Sequence, residues 1–201
     1  MTTDILYTLG RGLYVNLTNK CPCRCTFCIR GNTDSVGSAD NLWFEHEPGM
    51  EQVMEAFRQV KLEEYDELIF CGYGEPTCAL DNLLAVCRYV RGISDIPIRL
   101  NTNGLSDLIN KKKTAPLLKG LVDTVSVSLN APDAAKYNAL VQPSFGERSF
   151  EAMLQFARDC KKEVPQVMFS IVDVMPKEDI DACRRLADRE GISLRVRTYS
   201  A

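Results

Sequence analysis

Apolar positions along the chain recur with two periods, and the two alternate. Leu13–Thr18 combines β-branched and aromatic residues and predicts a first strand. Met50–Leu62 carries Val53, Met54, Phe57 and Val60 at helical spacing behind the start signal Pro48-Gly49. Leu68–Cys71 is a short apolar run closed by a turn of glycine and proline, and Leu80–Val90 sets Leu80, Leu83, Leu84, Val86 and Cys87 on one side of a helix. Ile96–Leu100 predicts a strand that runs into the turn Asn101-Thr102-Asn103-Gly104. Residues 105–119 read as a helix broken near Pro116. Val122–Leu129 alternates Val125, Val127 and Leu129 with Thr124, Ser126 and Ser128, the period of a strand. Phe150–Lys161 is helical, Val167–Val174 a strand, Lys177–Glu190 a helix and Leu194–Thr198 a last strand.

Six strands joined by crossovers of helical length indicate an α/β protein with parallel strands. Six units are too few for the usual eight-unit closed barrel. An open barrel or curled sheet is expected, with its site at the C-terminal ends of the strands. Residues 19–48 form a long loop rich in Cys, Gly, Asn, Ser and Asp, and loops of that length inside compact domains are usually functional. No repeat, linker or low-complexity stretch divides the chain, so residues 1–201 are expected to form a single domain.

Hydrophobic residues make up 45% of the chain and charged residues 25%, a globular balance that excludes a disordered protein. No run reaches the ~18–20 apolar residues of a membrane helix, and Met1-Thr2-Thr3-Asp4 lacks the basic-then-apolar layout of a signal peptide. A cytoplasmic protein with no membrane partner is expected. The net charge of −3 gives no field that favours nucleic acid. Nine cysteines change the picture, because Cys21, Cys23, Cys25 and Cys28 fall within eight residues. In a reducing compartment such clustering serves metal or redox chemistry more often than disulfides.

Thiolates hold zinc or iron–sulfur clusters. A structural zinc site usually takes two cysteine pairs separated by a longer span. Here no second C-x-x-C or histidine pair exists, and His46 is the only histidine. Cys21, Cys25 and Cys28 have the spacing C-x-x-x-C-x-x-C. Three such ligands on a cubic four-iron cluster leave one iron open to a small chelating molecule. Two other chemistries compete: one zinc ion held by the loop of an adaptor protein, and an electron-transfer cluster with Cys23 as fourth ligand.

With these cysteines on the loop after the first predicted strand, and Phe27 as the aromatic just before the last of them, the sequence resembles the radical S-adenosylmethionine (SAM) superfamily. The resemblance implies a partial (β/α)6 TIM-like open barrel with parallel strands. It also implies a [4Fe-4S] cluster on Cys21, Cys25 and Cys28, with SAM as second cofactor. Cys23 stands where the superfamily has another residue type, and is expected to be a spectator pointing away from the cluster. Phe70-Cys71-Gly72-Tyr73-Gly74-Glu75-Pro76-Thr77 is similar to the superfamily's Gly-Gly-Glu-Pro segment, with Tyr73 in place of the first glycine. By that likeness Gly72, Tyr73, Gly74, Glu75 and Pro76 bind the amino end of SAM, Glu75 acting as acceptor. Thr102, Asn103, Ser128 and Asn130, at the ends of the next two strands, are implied contacts for its ribose and carboxylate. Turn chemistry competes as an account of these four. Ser170-Ile171-Val172-Asp173 is set against the adenine. Arg195 and Arg197 alternate with Val196; they face either a substrate or SAM carboxylate in the barrel or a solvated edge.

Within the superfamily, Cys-Thr-Phe-Cys-Ile-Arg-Gly-Asn, Cys-Gly-Tyr-Gly-Glu-Pro-Thr and Val-Ser-Val-Ser-Leu-Asn-Ala-Pro look like the small TatD-associated radical SAM proteins, which implies a functional link to a TatD-type nuclease. The implied chemistry is one-electron reduction of the cluster by a donor such as flavodoxin or ferredoxin and cleavage of SAM to methionine and a 5′-deoxyadenosyl radical. That radical then abstracts hydrogen from an unidentified substrate: a peptide, protein or nucleic acid, or a small nucleoside. Oxygen sensitivity follows from the open iron. The remaining cysteines, Cys71, Cys78, Cys87, Cys160 and Cys183, read as small buried hydrophobes, His46 as a surface loop residue, and Lys111-Lys112-Lys113 as a solvated face.

Overall fold

A computed structural model describes residues 4–199, so the expectation for the N-terminus at Met1–Thr3 lies outside the described residues. The sheet has seven strands in sequential order: β1 (Leu6–Leu9), β2 (Gly12–Val15), β3 (Glu67–Phe70), β4 (Ile98–Thr102), β5 (Thr124–Ser128), β6 (Gln166–Val172) and β7 (Ser193–Arg197). Every pair from β2 to β7 is parallel, and β1 pairs antiparallel with β2. The helices are α1 (Met50–Arg58), α2 (Leu80–Arg91), α3 (Ser106–Asn110), α4 (Ala134–Val141), α5 (Arg148–Glu163) and α6 (Lys177–Glu190). The α/β class and the open, partial barrel of parallel strands stand as the sequence indicates.

Two elements were not foreseen. The first is the hairpin strand β1, joined to β2 by Gly10-Arg11 with Gly10 at φ 60°. Glycine at the first central position is what a two-residue type II′ turn requires. β1 is short and only partly covered, so its alternation is weak. The second is α4, whose N-cap Asp133 accepts a hydrogen bond from the Lys136 backbone N–H at 2.9 Å. The broken helix near Pro116 resolves into α3 and a separate 3-10 turn, Ala115–Leu118; Lys111 ends α3 in the left-handed region at φ 54°. The first predicted strand also stops sooner, at Val15, leaving Asn16–Thr18 as buried extended chain.

Strand alternation sorts the sheet into two faces. Val15, Phe70, Leu100, Val127 and Phe169 point outward into a core shared with the helices and are buried completely. The opposite face carries Arg99 and Asn101 of β4, Ser126 and Ser128 of β5, and Ser170 of β6. Strands of ordinary closed α/β barrels are apolar on both faces. Here the inner face is polar, which marks it as a place for a ligand rather than a packed core.

Candidate active site

The cysteine loop leaves the end of β2 and is fastened at the C-terminal edge of the sheet by backbone bonds to α4 and the turn after it. Arg24 N–H donates to the Val141 carbonyl at 3.1 Å, Thr26 N–H to Leu140 at 2.9 Å and Ser144 N–H to Pro22 at 2.8 Å. Gln142, at φ 47°, ends the helix and turns the chain toward this contact. Cys28 then caps a short 3-10 turn, Ile29–Gly31, its N–H donating to the Cys25 carbonyl at 3.1 Å. Cys21, Cys25 and Cys28 are half-buried and line a hollow of about 600 Å³, with Phe27 on its wall. Among the described residues no three His, Cys, Asp or Glu side chains converge on a point that a single ion would occupy.

Cys23 does not point away. It is buried, its thiol hydrogen-bonds with that of Cys21, and the Asn103 Nδ2 donates to its sulfur at 3.6 Å and to that of Cys21 at 4.0 Å. The backbone explains this: Cys23 bridges Pro143, and strand-like alternation turns its side chain inward. Burial pushes the Cys25 thiol up to about 12, helped by neighbouring Cys28 and Cys21. The hydrogen bond with Cys23 lowers Cys21 and, with burial, raises Cys23 strongly. Thiols in this setting shed protons when a cation arrives, as metal ligands do.

Arg30 ties the loop to the next motif. Its guanidinium donates to the carbonyls of Tyr73 (3.3 Å) and Cys23 (3.2 Å) and lies 5.9 Å from the centre of the Trp43 ring. Tyr73 turns its ring away from the hollow's centre into a small second core with Tyr7, Ala39 and Leu42, and its hydroxyl donates to the Thr33 carbonyl. The departure from glycine at this position therefore has a structural use: the Tyr73 side chain pins the loop of residues 29–48.

The two glycines beside it are fixed by chain packing. A Cβ on Gly72 would stand 2.1 Å from Asn16 Oδ1, and one on Gly74 would stand 2.1 Å from the Thr18 carbonyl oxygen. Asn16 cannot retreat cheaply, because it is buried and its Nδ2 donates to the Leu42 carbonyl at 2.8 Å. Close approach of the segment after β2 to the turn after β3 is thus what demands Gly-Tyr-Gly.

Glu75 is buried and accepts four hydrogen bonds. Its Oε1 takes Thr77 N–H (3.1 Å), Thr77 Oγ1 (2.8 Å) and Thr102 Oγ1 (2.7 Å), while Oε2 takes only Asn103 N–H (2.7 Å). Burial raises its pKa against the lowering by these donors. With three donors crowded on Oε1 and one on Oε2, Oε2 is the oxygen with a lone-pair site open to a ligand. Thr102 and Asn103 are thereby fixed to the motif. Ser128 lines the hollow, and buried Asn130, at φ 56°, leaves its Oδ1 without a partner there. Pro76 opens the 3-10 turn Pro76–Ala79 behind Glu75.

An adjoining hollow of about 450 Å³ shares Cys21, Cys28, Gly72 and Asn103 with the first and runs down the polar inner face past Ser126, Ser170 and Arg195. Of the segment set against adenine, Ser170 and Val172 reach these hollows. Ile171 faces the outer core, and Asp173 instead accepts the Tyr199 backbone N–H at 2.6 Å. His46 is exposed and lines neither hollow. Cys87, Cys160 and Cys183 are buried, whereas Cys71 is half-buried on the wall of the second hollow and Cys78 is half-buried away from both. Sequence reasoning missed two participants. Arg30 follows the last clustered cysteine, and a cation there is a readable signal. Tyr137 on α4, fully buried, lines the first hollow with its hydroxyl unpartnered. An orphan donor and an orphan acceptor, beside three thiols, fit a polar cofactor together with a thiolate-bound cluster.

A family model, the Radical SAM superfamily, matches residues 15–189. Among curated proteins, the ribosomal RNA large subunit methyltransferase N of Nitrosopumilus maritimus is 27% identical over 148 residues, 71% of this chain and 40% of its own length. The probable dual-specificity RNA methyltransferase RlmN of Trichormus variabilis is 31% identical over 145 residues, 69% of this chain and 37% of its own length. The chain thus spans about two fifths of these relatives. Among solved structures, Streptococcus suis SuiB bound to precursor peptide SuiA superposes with a TM-score of 0.69 at 20% identity, covering 94% of this chain and 39% of SuiB. A radical SAM methyltransferase from Sphaerobacter thermophilus gives 0.63 at 17% identity, covering 96% and 68%. These likenesses share the open parallel sheet. No helix among the described residues is long and apolar enough to cross a membrane. The matched span takes in both motifs at the hollow and nearly all the strand–helix units, and on it the chain belongs to the radical SAM superfamily, whose cofactors are a [4Fe-4S] cluster and S-adenosylmethionine.

Proposed function

We propose that the chain is a radical SAM enzyme in which Cys21, Cys25 and Cys28 hold the cluster, and the Gly72–Pro76 turn with Thr102, Asn103, Ser128 and Asn130 holds SAM against it. The observation that carries this reading is the meeting, on two adjoining hollows that share Cys21, Cys28 and Gly72, of three half-buried thiols with the Gly72–Glu75 turn. When bound, the two cofactors supply reductive cleavage of SAM to methionine and a 5′-deoxyadenosyl radical, which takes hydrogen from the substrate. The free lone pair of Glu75 Oε2 suits an ammonium group. The Asn130 Oδ1 and Tyr137 hydroxyl offer an acceptor and a donor that no protein group uses. Phe27 and Ile29 line the hollow beside the thiols.

Residues 1–201 form one domain in this reading, placed in the reducing cytoplasm, where free thiols persist. A flavodoxin or ferredoxin serves as donor. Nucleic acid is the substrate class the curated relatives favour, since both are named as RNA methyltransferases. The wording of the three motif segments supports placement with the TatD-associated subgroup and a link to a TatD-type nuclease.

The test is anaerobic reconstitution with iron and sulfide, reduction with dithionite, addition of SAM and detection of 5′-deoxyadenosine by mass spectrometry. Slow uncoupled cleavage is expected in the wild type and none in Cys25→Ser. A cluster whose electron paramagnetic resonance spectrum ignores SAM, with no cleavage, overturns the reading in favour of electron transfer. Binding of zinc alone overturns it in favour of an adaptor. Added RNA that gains a methyl group, or fails to, decides the substrate class.

A further inference from the structure

The inner face of the sheet carries cations with too little to balance them. Arg99 of β4 pairs with Glu67 of β3 at 2.9 Å, which uses that carboxylate, and its Nε is buried without a partner. Arg195 and Arg197, two residues apart on β7, share one face of that strand. Both are exposed to the hollow, and their guanidiniums make no hydrogen bond or ion pair among the described residues. Their reach is across the lumen. The charge of Arg195 is felt at Tyr14 of β2 and Glu67 of β3, and that of Arg197 at Cys71 in the turn after β3; Tyr14 and Cys71 share the hollow with both arginines. The other acid on this wall, Glu75, is already held by four donors.

The cationic patch runs down the lumen from the level of the groups assigned to SAM: Arg195 pairs in register with Ser170, which pairs with Ser128, and both β7 arginines also line the cysteine hollow. Arg99 precedes Asn103 by four residues, roughly 13 Å of strand at ~3.3 Å per residue. It therefore lies well below the strand ends, beneath Arg195 and Arg197, and the charge of Arg195 extends down to Glu67, the partner of Arg99. Ser126 and Ser170 line the space between. A chain with a net charge of −3 that keeps two unpaired guanidiniums in a concave polar site focuses a positive field there. Guanidinium forks match the two oxygens of a carboxylate or phosphate.

We infer that Arg195 and Arg197, with Arg99 beneath them, form a subsite for an oxyanion of the substrate, a phosphate or a carboxylate. This rests on the proposed radical SAM activity, with the substrate entering the lumen beneath SAM.

The experiment uses the anaerobically reconstituted protein with SAM present, and equilibrium dialysis against radiolabelled inorganic phosphate and, separately, radiolabelled malonate. Saturable binding of at least one is expected. It should weaken about tenfold or more in Arg195→Gln/Arg197→Gln, the loss of two charge-assisted contacts. It should hold in Lys111→Gln/Lys112→Gln, which removes the same charge from an exposed surface away from the lumen. A preference for phosphate assigns a phosphate ester, and a preference for malonate a carboxylate. SAM affinity, dialysed in parallel, should stay within about twofold in the arginine variant. The inference is overturned if the wild type binds neither anion saturably, or if the lysine variant loses binding equally. It is also overturned if the arginine variant loses SAM affinity tenfold, since the guanidiniums would then hold the SAM carboxylate. Anion binding in a wild type that forms no 5′-deoxyadenosine would overturn the proposed function and leave the subsite standing.

Discussion

Tyr137 buries its hydroxyl completely beside the cysteine loop and gives it no partner within the chain. A buried hydroxyl left unpaired costs about 1–3 kcal/mol, whereas deleting it along with the need for a partner is close to neutral or favourable. Tyr137→Phe is therefore expected to stabilise the cofactor-free protein by about 1 kcal/mol in urea unfolding. In the reconstituted protein that gain should vanish, because a thiolate or cofactor acceptor then accepts a hydrogen bond from the hydroxyl. Equal gains in both states would mean that the hydroxyl meets nothing in the loaded hollow. At this scale the sequence was legible where spacing decides which residues share a site, as Cys21, Cys25, Cys28 and Glu75 do around the adjoining hollows. It was not legible where a residue's use depends on distant packing. Tyr73 reads as an altered glycine until its ring is seen in the second core, and Cys23 reads as a spectator until Pro143 is seen to turn it inward.

Among the elements, α4 matters more to the hollow than its eight residues suggest, since its last carbonyls hold the cysteine loop. Its start is an exposed N-cap, Asp133. Asp133→Ala is expected to cost about 1 kcal/mol and to speed proteolysis within residues 21–28, with iron retention falling in step. Unchanged loop protection would separate the helix from the loop. The cap followed by Tyr137 and Val141 at i, i+4 was a signal available in the sequence. β1 offered less, being four residues with one buried side chain. The α5 helix makes a second test, through pH. Asp159 accepts from Lys113 at 2.9 Å, Lys162 at 3.1 Å and Gln155 at 3.0 Å, and the Lys113 contact leads in lowering it from the ordinary 3.8 to about 2. A folded-state pKa below the unfolded one adds stability above the unfolded value and loses it as pH falls through the folded value. Full conversion of the shift would exceed 2 kcal/mol, but these contacts stand near water and are screened, so about 1 kcal/mol is expected. Asp159→Asn should be less stable than wild type by that amount at pH 7, with the two unfolding curves merging near pH 2.

For the whole molecule, the decisive property is that the sheet is dry on one side and wet on the other. The strand periods were readable because each strand's outward residues must meet helices: Val125, Val127 and Leu129 alternate visibly with Thr124, Ser126 and Ser128. The lumen was harder to read, since its residues answer to a ligand and not to one another. Phe169 and Ser170 put both sides into neighbouring positions of β6. Phe169 is wholly buried in the outer core, and Ser170 faces the hollow. Phe169→Ala removes a full aromatic side chain and leaves a cavity between sheet and helices, a cost of about 3–5 kcal/mol. That is a large share of the ~5–15 kcal/mol that stabilises a folded domain. Ser170→Ala deletes a hydroxyl that makes no hydrogen bond among the described residues, so its cost should stay below about 0.5 kcal/mol. Urea midpoints of the two variants measure the difference. A Ser170→Ala loss approaching that of Phe169→Ala would mean that the inner face is packed core after all, and a hollow built to receive a ligand would no longer account for the serines, asparagines and arginines that line it.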